Sequence, residues 1–328
     1  MVALNQLITL TRLTAVEAIR QPIFLLVTNA CIVLTAVMPM VLLHQFGEEG
    51  KLARDSGLAF HFLFGLFYAS YAACSSLARE IGSGTASAVL SKPVSRSEFL
   101  VSKFLGLALV IVAFSTCACV STLMSERVAE RLAVTSNAAG YVIDWQTGWL
   151  LVCAPFAAMG VAGLLNYYGR RPFVSTAFLV LIVLLLFVFG VSGWFDRSGN
   201  FSSFDLQVQW RIIPASILVT LALVVLCAIA LSLSARLGTV ATLLCCFGIF
   251  VLGLLSDYWF GGTDGRSAIS ALLYTLIPNW QHFWRADALA AGGLIPWSYV
   301  GRAFVYAGTY SAAVLILGIL SFRTVDIR

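Results

Sequence analysis

The sequence predicts an all-α fold, a polytopic transmembrane helical bundle of about eight spans, and three observations carry this prediction. First, 60% of the 328 residues are hydrophobic and only 11% are charged, whereas soluble domains carry about 25% charged residues. Second, the chain contains eight long apolar stretches, and about 20 apolar residues are enough to cross the hydrocarbon layer as a helix. Third, these stretches show no two-residue alternation, which argues against a β-barrel.

The eight predicted spans cover more than half of the chain and leave no room for a large soluble domain. They are residues 23–43, 57–78, 99–123, 149–168, 172–194, 212–233, 237–258 and 299–322. We therefore treat residues 1–328 as a single transmembrane domain.

The distribution of charge predicts the orientation. An even number of spans places both termini on one side of the membrane. If that side is the cytoplasm, the inner segments hold 11 of the 20 Lys and Arg residues and only four of the 15 Asp and Glu residues. The positive-inside rule favours this orientation, so we expect both termini in the cytoplasm.

The first 21 residues differ from a secretory signal. They mix leucines with Arg12, Glu17 and Arg20, whereas a signal peptide has a continuous apolar core. This composition predicts an amphipathic helix at the inner membrane surface, with its arginines towards the lipid headgroups. Gln21-Pro22 is expected to end this helix and to begin the first span.

The segment 79–98, between the second and third predicted spans, is too polar to enter lipid. Residues 85–90 can form one or two turns of a cytoplasmic helix, which Pro93 would end because the residue before a proline avoids the α region. By composition alone, an ordinary loop between two spans is the more common outcome.

The beginning of the third span has its own local signal. Ser95 and Glu98 have the spacing of a capping box, in which each side chain bonds to the backbone of the other residue. Lys103 follows close enough to the interface to extend its ammonium group towards water.

A continuous pattern runs through this region: Glu80, Gly84, Thr85, the corner Leu90-Ser91-Lys92-Pro93, Ser95-Arg96, Glu98 and Lys103. It resembles the membrane subunits of type-2 ABC transporters, the permease class that includes many bacterial exporters. The resemblance implies that this segment is a coupling helix that docks on a separate ATPase subunit. It assigns ATPase coupling to Glu80, Gly84, Thr85, Val89, Leu90, Pro93 and Arg96.

Two downstream stretches are also similar to this family. Residues 276–283 resemble the outer-face segment before the last span, and residues 322–326 resemble its short closing tail. One feature departs from the family pattern, because many such permeases have six spans. The additional pair is predicted at residues 149–194.

The region 259–298 is predicted to carry short helices on the outer face. The apolar run 268–277 is too short to span and is stopped by Pro278. Asn279 can cap a second helix that continues through Leu289. Through the family resemblance, we interpret these as external or re-entrant helices that form a lid. A surface hairpin without a gating role is the alternative.

Aromatic and charged residues complete the expectations for the outer face. Trp280, Phe283, Trp284 and Trp297 suit the membrane–water boundary, and the resemblance makes Pro278, Trp280 and Phe283 lid residues. Farther upstream, opposite charges at positions 126, 127, 130 and 131 predict a solvated extension of the third span.

The sequence lacks a nucleotide-binding loop of the form G-x-x-x-x-G-K-[ST]. We therefore expect no catalytic activity and no cofactor on this chain, with ATP and Mg bound by the partner ATPase. The other expected partners are a second permease subunit, identical or different, and membrane lipid. The small net charge of +5 argues against a nucleic-acid partner. The resemblance implies the bacterial inner membrane.

The resulting hypothesis is the membrane subunit of an ATP-driven ABC exporter. Two alternatives stay open. An ATP-independent transporter or flippase is disfavoured because no charged residue occupies the middle of a predicted span. A non-transporting membrane anchor of a multiprotein complex would have the same docking segment. The substrate cannot be identified from the sequence.

Overall fold

In the part of the chain that the structure describes, eight helices are long and apolar enough to cross a membrane. The computed structural model describes residues 2–41, 50–82, 95–135, 138–197, 200–260 and 268–323. Within these ranges the spanning helices are α2 (Pro22–Val41), α3 (Lys51–Gly82), α4 (Arg96–Val128), α5 (Trp145–Gly169), α6 (Phe173–Trp194), α8 (Ile212–Ser234), α9 (Thr239–Phe260) and α11 (Trp297–Arg323). The prediction of an all-α polytopic bundle with eight spans is confirmed.

Shorter elements complete the described chain. They are α1 (Val2–Ile19), α7 (Phe204–Gln207), α10 (Ala268–Leu276), the 3-10 helices Trp280–His282 and Ala286–Gly292, and the strands β1 (Arg131–Thr135) and β2 (Ala138–Val142). The two strands form an antiparallel ribbon in which Arg131 lies opposite Val142. The sequence did not predict this ribbon, which lies between α4 and α5.

The centre of the bundle is formed by α4 and α8. The most buried spanning helix is α8, which packs against α3, α4, α9 and α11. Aromatic side chains fill the neighbouring core: the Phe24 ring lies 5.1 Å from that of Tyr68 and 4.7 Å from that of Phe178. Within a membrane such contacts act through close packing, because lipid tails are as apolar as the side chains themselves.

Two helices extend well beyond their predicted spans. The sequence placed spans at 57–78 and 99–123, whereas α3 has 32 residues and α4 has 33. At 1.5 Å per residue each is about 48 Å long, and the hydrocarbon layer is only about 30 Å thick. Both helices therefore continue past the apolar layer. We call the end of the bundle where α3 ends and α4 begins the coupling end, and the other the far end.

The first helix packs along α4. Thr14 and Ala18 are buried on this face, whereas Leu4 and Leu13 are exposed. Gly106 permits the close approach, because an added Cβ would lie 2.7 Å from the Thr11 carbonyl oxygen. The helix predicted for the first 21 residues is present as α1 and ends before Pro22. The position of α1 at the membrane surface stays a prediction.

Candidate functional site

The structure describes the two ends of segment 79–98 but not its middle. Residues 79–82 form the last turn of α3; Ser95 is the N-cap of α4, and residues 96–98 begin that helix. Of the predicted coupling residues, Glu80 lies in the last turn of α3 and Arg96 is the first residue of α4. The others lie outside the described residues: Gly84, Thr85, Val89, Leu90 and Pro93. So does the predicted helix 85–90.

The predicted capping box at the start of α4 is present. The Glu98 amide donates to Ser95 Oγ at 3.1 Å, and the Ser95 amide donates to Glu98 Oε2 at 2.9 Å. These bonds satisfy backbone donors that the first helical turn leaves without intrahelical partners. The start of α4 is therefore fixed locally by its own sequence.

Arg96 joins the start of α4 to the end of α11. Its Nη1 donates to the Phe322 carbonyl oxygen at 2.9 Å, and its guanidinium lies 5.8 Å from the centre of the Phe322 ring. The Phe99 and Phe322 rings stack 6.1 Å apart beside this contact. The carbonyls of a last helical turn lack intrahelical donors, so Arg96 supplies one to α11.

The expectation that the Lys103 side chain extends towards water is wrong. Its side chain is buried, with Nζ 3.9 Å from Glu17 Oε2 and 5.7 Å from the centre of the Phe99 ring. The physical reason is that α1 covers this face of α4. Lys103 therefore joins α4 to α1 instead of pointing to the headgroups.

The end of α3 is joined to the bend between α1 and α2. Arg79 Nε donates to the Ser75 carbonyl at 3.0 Å. The hydroxyl of Ser75 donates to Gln21 Oε1 at 3.5 Å, and Gln21 is buried in the bend. Both ends of segment 79–98 are thus attached to other helices: α3 to the bend, and α4 to α1 and α11.

The predicted lid residues are inside the protein. Pro278, Trp280 and Phe283 are all buried, with Trp280 and Phe283 each only 1% exposed. Their rings lie 6.4 Å apart, and Trp280 also lies 6.2 Å from Phe250 of α9. The expectation that Trp280 and Phe283 lie at a wet boundary is wrong. Phe250 from α9 and Tyr306 from α11 cover them, which spacing along the segment could not reveal.

The predicted second helix after Pro278 is replaced by two short 3-10 helices. Asn279 does cap the first of them, because its Oδ1 accepts from the Gln281 amide at 2.9 Å. The amide group of Asn279 donates to Asp257 Oδ1 at 2.9 Å, and the Tyr274 hydroxyl donates to the same oxygen at 2.9 Å. Asp257 therefore joins the end of α9 to the segment that follows it.

His282 lies at the edge of this segment against α11. Its ring is 5.8 Å from that of Tyr306, and its carbonyl accepts from the Tyr299 hydroxyl at 2.7 Å. Desolvation lowers the pKa of His282 below the ordinary value of a histidine.

Part of the segment 268–292 lies several turns into the bundle from the start of α11, in the direction of the coupling end. The Tyr310 hydroxyl donates to the Leu276 carbonyl at 2.6 Å. Tyr310 follows Trp297, the first residue of α11, by 13 positions, which is about 20 Å along a helix. The segment also packs closely against α9 at Gly253. A Cβ atom at this position would overlap the Pro278 carbonyl and the Trp280 ring.

A cavity of about 330 Å³ adjoins this segment, between α8, α9 and α11. Pro278 and Tyr310 form part of its wall, and most of the remaining lining is aliphatic. Its hydroxyl groups come from Tyr310, Ser232 and Ser321. The cavity therefore offers an apolar space with few polar contacts.

Helix α3 contacts the segment 268–292 directly. Phe62, in the half of α3 towards the far end, stacks on Trp284 with the ring centres 6.1 Å apart. It also lies 5.3 Å from Phe250 of α9. One continuous helix thus connects segment 79–98 to the neighbourhood of the predicted lid residues.

A buried charge cluster at the far end was missed by sequence reasoning. Glu126 Oε1 lies 3.3 Å from Arg211 Nη2 and 3.9 Å from Arg54 Nη1. Glu126 is wholly buried, and Arg54 is 2% exposed. These contacts join α3, α4 and the start of α8.

The neighbouring Arg127 joins α4 to α5 and α6. Its Nε donates to Asp144 Oδ2 at 2.9 Å, and its Nη groups donate to the carbonyls of Ser192 and Phe195. Asp144 caps α5 by accepting from the Thr147 amide at 3.0 Å. The predicted solvated helix extension is therefore wrong for positions 126 and 127. The alternating charges pair with residues distant in sequence, and α4 ends at Val128.

The comparisons with known proteins give one match. A family model described as "ABC-2 family transporter protein" matches residues 11–192, more than half of the chain. The matched range begins in α1, includes segment 79–98, and ends near the end of α6. It therefore contains α5 and all of α6 except its last two residues, and this is the pair of spans predicted to be additional. No curated protein and no solved structure matches the chain significantly.

Proposed function

Because the chain belongs to the ABC-2 transporter family and is a multi-pass membrane subunit of an ABC transporter, we propose that ATP hydrolysis on a separate subunit drives export through it. The family associates with an ATP-binding-cassette component, and its membrane component is generally non-catalytic. In this proposal ATP and Mg are bound by the partner, and segment 79–98 receives the motion.

The observation that carries the proposal is the path of α3. This helix is continuous from Lys51 to Gly82. Its last turn leads into segment 79–98, and Phe62 stacks on Trp284 in the segment 268–292. A displacement of segment 79–98 along or about α3 would therefore reach the opposite half of the bundle without crossing a flexible connection.

The attachments of α4 extend the same argument. Arg96 holds the end of α11 and Lys103 holds α1. Movement at the start of α4 would consequently be shared with α1 and α11. Since α11 also contacts Leu276 through Tyr310, two helices connect the docking segment to the segment 268–292.

The segment 268–292 acts as a re-entrant lid in this mechanism. Its contacts with α3, α9 and α11 consist largely of aromatic rings and a few hydrogen bonds, and the adjoining cavity of about 330 Å³ gives it space to move. Pro278, Trp280 and Phe283 form the part that would shift. Nucleotide-driven closure of the ATPases would move this lid through α3 and α11.

The assembly and its location follow from the same proposal. Two permease subunits, identical or different, would sit on two ATPase subunits in the bacterial inner membrane. Both termini would be cytoplasmic, with α1 at the inner surface. The excess of basic residues on that side supports this orientation.

The docking role is tested by replacing Leu90 with Asp in the complex purified with its ATPase. A charge in an apolar contact lacks a partner and is costly to bury. We expect L90D to lose most of the co-purifying ATPase and its ATP-dependent activity. A matched variant is L294D, which places the same charge at an exposed position and is expected to retain both.

The outcomes distinguish the alternatives. Undiminished co-purification and activity of L90D would contradict the docking role and leave an ATP-independent transporter as the better hypothesis. For a wild-type complex, ATP hydrolysis that no candidate substrate stimulates would favour a non-transporting anchor.

A further inference from the structure

The turn between α5 and α6 projects from the rest of the protein. All ten residues from 164 to 173 are exposed, and a side chain added at Gly160 or Gly163 would meet open space. At the far end the same helix pair is fixed to α4 by Arg127 and Asp144. The pair is therefore fixed at the far end by a buried ion pair, whereas the turn at its other end is exposed; farther along α6, Phe178 packs against Phe24 of α2.

The turn has a defined backbone. Arg170 adopts the left-handed conformation with φ 49°, and its amide donates to the Asn166 carbonyl at 3.0 Å. The side-chain amide of Asn166 donates to the Arg171 carbonyl. Only Arg170, Arg171 and Pro172 connect the two helices, so the two arginines are held side by side.

The length of α5 places this turn in the headgroup layer. Its 25 residues span about 37 Å, which exceeds the hydrocarbon thickness of about 30 Å but not the full bilayer of about 40–45 Å. The exposed Leu164, Leu165 and Phe173 are apolar and suit the acyl chains below. The turn therefore does not extend far beyond the lipid surface.

The charge of this helix pair is purely positive. Between Asp144 and Asp196 the only charged residues are Arg170 and Arg171, and neither forms an ion pair with any residue in the described ranges. Tyr167 and Tyr168 precede them and are each 80% exposed. Guanidinium groups bind phosphate oxygens in a bidentate manner, and tyrosines favour the headgroup level.

We propose that Tyr167, Tyr168, Arg170 and Arg171 form a binding site for the headgroup of an anionic phospholipid. The lipid phosphate pairs with the two guanidinium groups, and the tyrosine rings lie beside the glycerol region. The bound lipid holds the exposed turn between α5 and α6 in the headgroup layer. A protein partner is disfavoured because the turn barely rises above the lipid surface.

The test uses the full-length chain in a non-ionic detergent and measures bound lipid by native mass spectrometry. Phosphatidylglycerol is compared with phosphatidylcholine of the same acyl chains. The variant is R170N/R171Q, in which asparagine tolerates the left-handed backbone and both positions are exposed. The matched control is R302Q, which removes another exposed arginine, beside Tyr299 on α11.

The wild-type chain is expected to prefer phosphatidylglycerol. Each basic residue near an anionic surface contributes about five-fold in affinity, so the double variant should lose about 25-fold for phosphatidylglycerol and little for phosphatidylcholine. R302Q should bind like the wild type.

Three results would overturn the proposal. The first is unchanged phosphatidylglycerol affinity in the double variant. The second is displacement of the lipid by an equal concentration of glycerol phosphate, which would identify a site for soluble phosphate esters. The third is equal affinity of the wild-type chain for phosphatidylglycerol and phosphatidylcholine, which would show that the turn does not select an anionic headgroup.

Discussion

Individual charged residues organise both ends of the bundle. At the far end Arg127 and Asp144 form a buried pair, and Arg127 also donates to the Ser192 carbonyl of α6. At the coupling end Lys103 pairs with Glu17, which is about half exposed. The first pair is shielded from water and the second is not. Loss of one partner is therefore far more costly at the far end.

The first prediction concerns Arg127. In R127M the carboxylate of Asp144 remains buried without its partner, which costs about 3–5 kcal/mol. We expect the free energy of unfolding in detergent, measured by denaturant titration, to fall by about this amount. The control is E130Q at the less buried position nearby, which should change stability by less than about 0.5 kcal/mol. A variant R127M as stable as the wild type would show that this pair does not hold α5 and α6.

Local hydrogen bonds at the helix ends could be predicted from the sequence, but the long-range ion pairs could not. The capping box of Ser95 and Glu98 was predicted because its two members lie three positions apart. Asp144 lies 17 positions from Arg127, and Arg211 lies 85 positions from Glu126. Pairing over such distances depends on how the helices pack, so local charge spacing suggested a solvated helix instead.

At the level of elements, the segment 268–292 carries the largest difference between expectation and structure. Composition correctly predicted a short apolar helix stopped by Pro278. Trp280 and Phe283 were assigned to the membrane boundary because aromatic rings are common there. The same rings equally suit a packed interior, and only the positions of α9 and α11 decide between the two.

A second prediction tests how this segment is held against α9. In G253A the new methyl group overlaps the Pro278 carbonyl and the Trp280 ring, which should displace residues 276–283. We expect faster hydrogen–deuterium exchange over 276–289, measured by mass spectrometry. The control G248A lies on the same helix with open space around it and should keep wild-type exchange or gain slight helix stability. Equal exchange in the two variants would contradict the described contact.

The spanning helices were the most predictable elements, because each needs only a sufficient length of apolar residues. Their ends were less predictable. The helix α4 begins at Arg96 and continues to Val128, past the apolar stretch, since its polar ends find partners in other helices. A hydropathy profile cannot predict these tertiary contacts, so it places the helix ends too close to the apolar stretch.

At the scale of the whole molecule, α3 and α4 connect the two ends of the bundle. Both begin or end at segment 79–98, and both contribute to the buried charge cluster at the far end through Arg54 and Glu126. Rigid helices of this length transmit displacement as units. The same two helices therefore join the proposed docking segment, 79–98, to the far end of the bundle.

The measurement that tests this account most directly is photo-crosslinking within the native complex. A photoreactive side chain is incorporated in place of Leu90, or in place of Leu294 as the control, and the adducts are identified by mass spectrometry. The account predicts that position 90 crosslinks to the ATPase subunit and that position 294 does not. An adduct of position 90 with lipid alone, or equal crosslinking from both positions, would contradict the proposal that segment 79–98 receives the force of ATP hydrolysis.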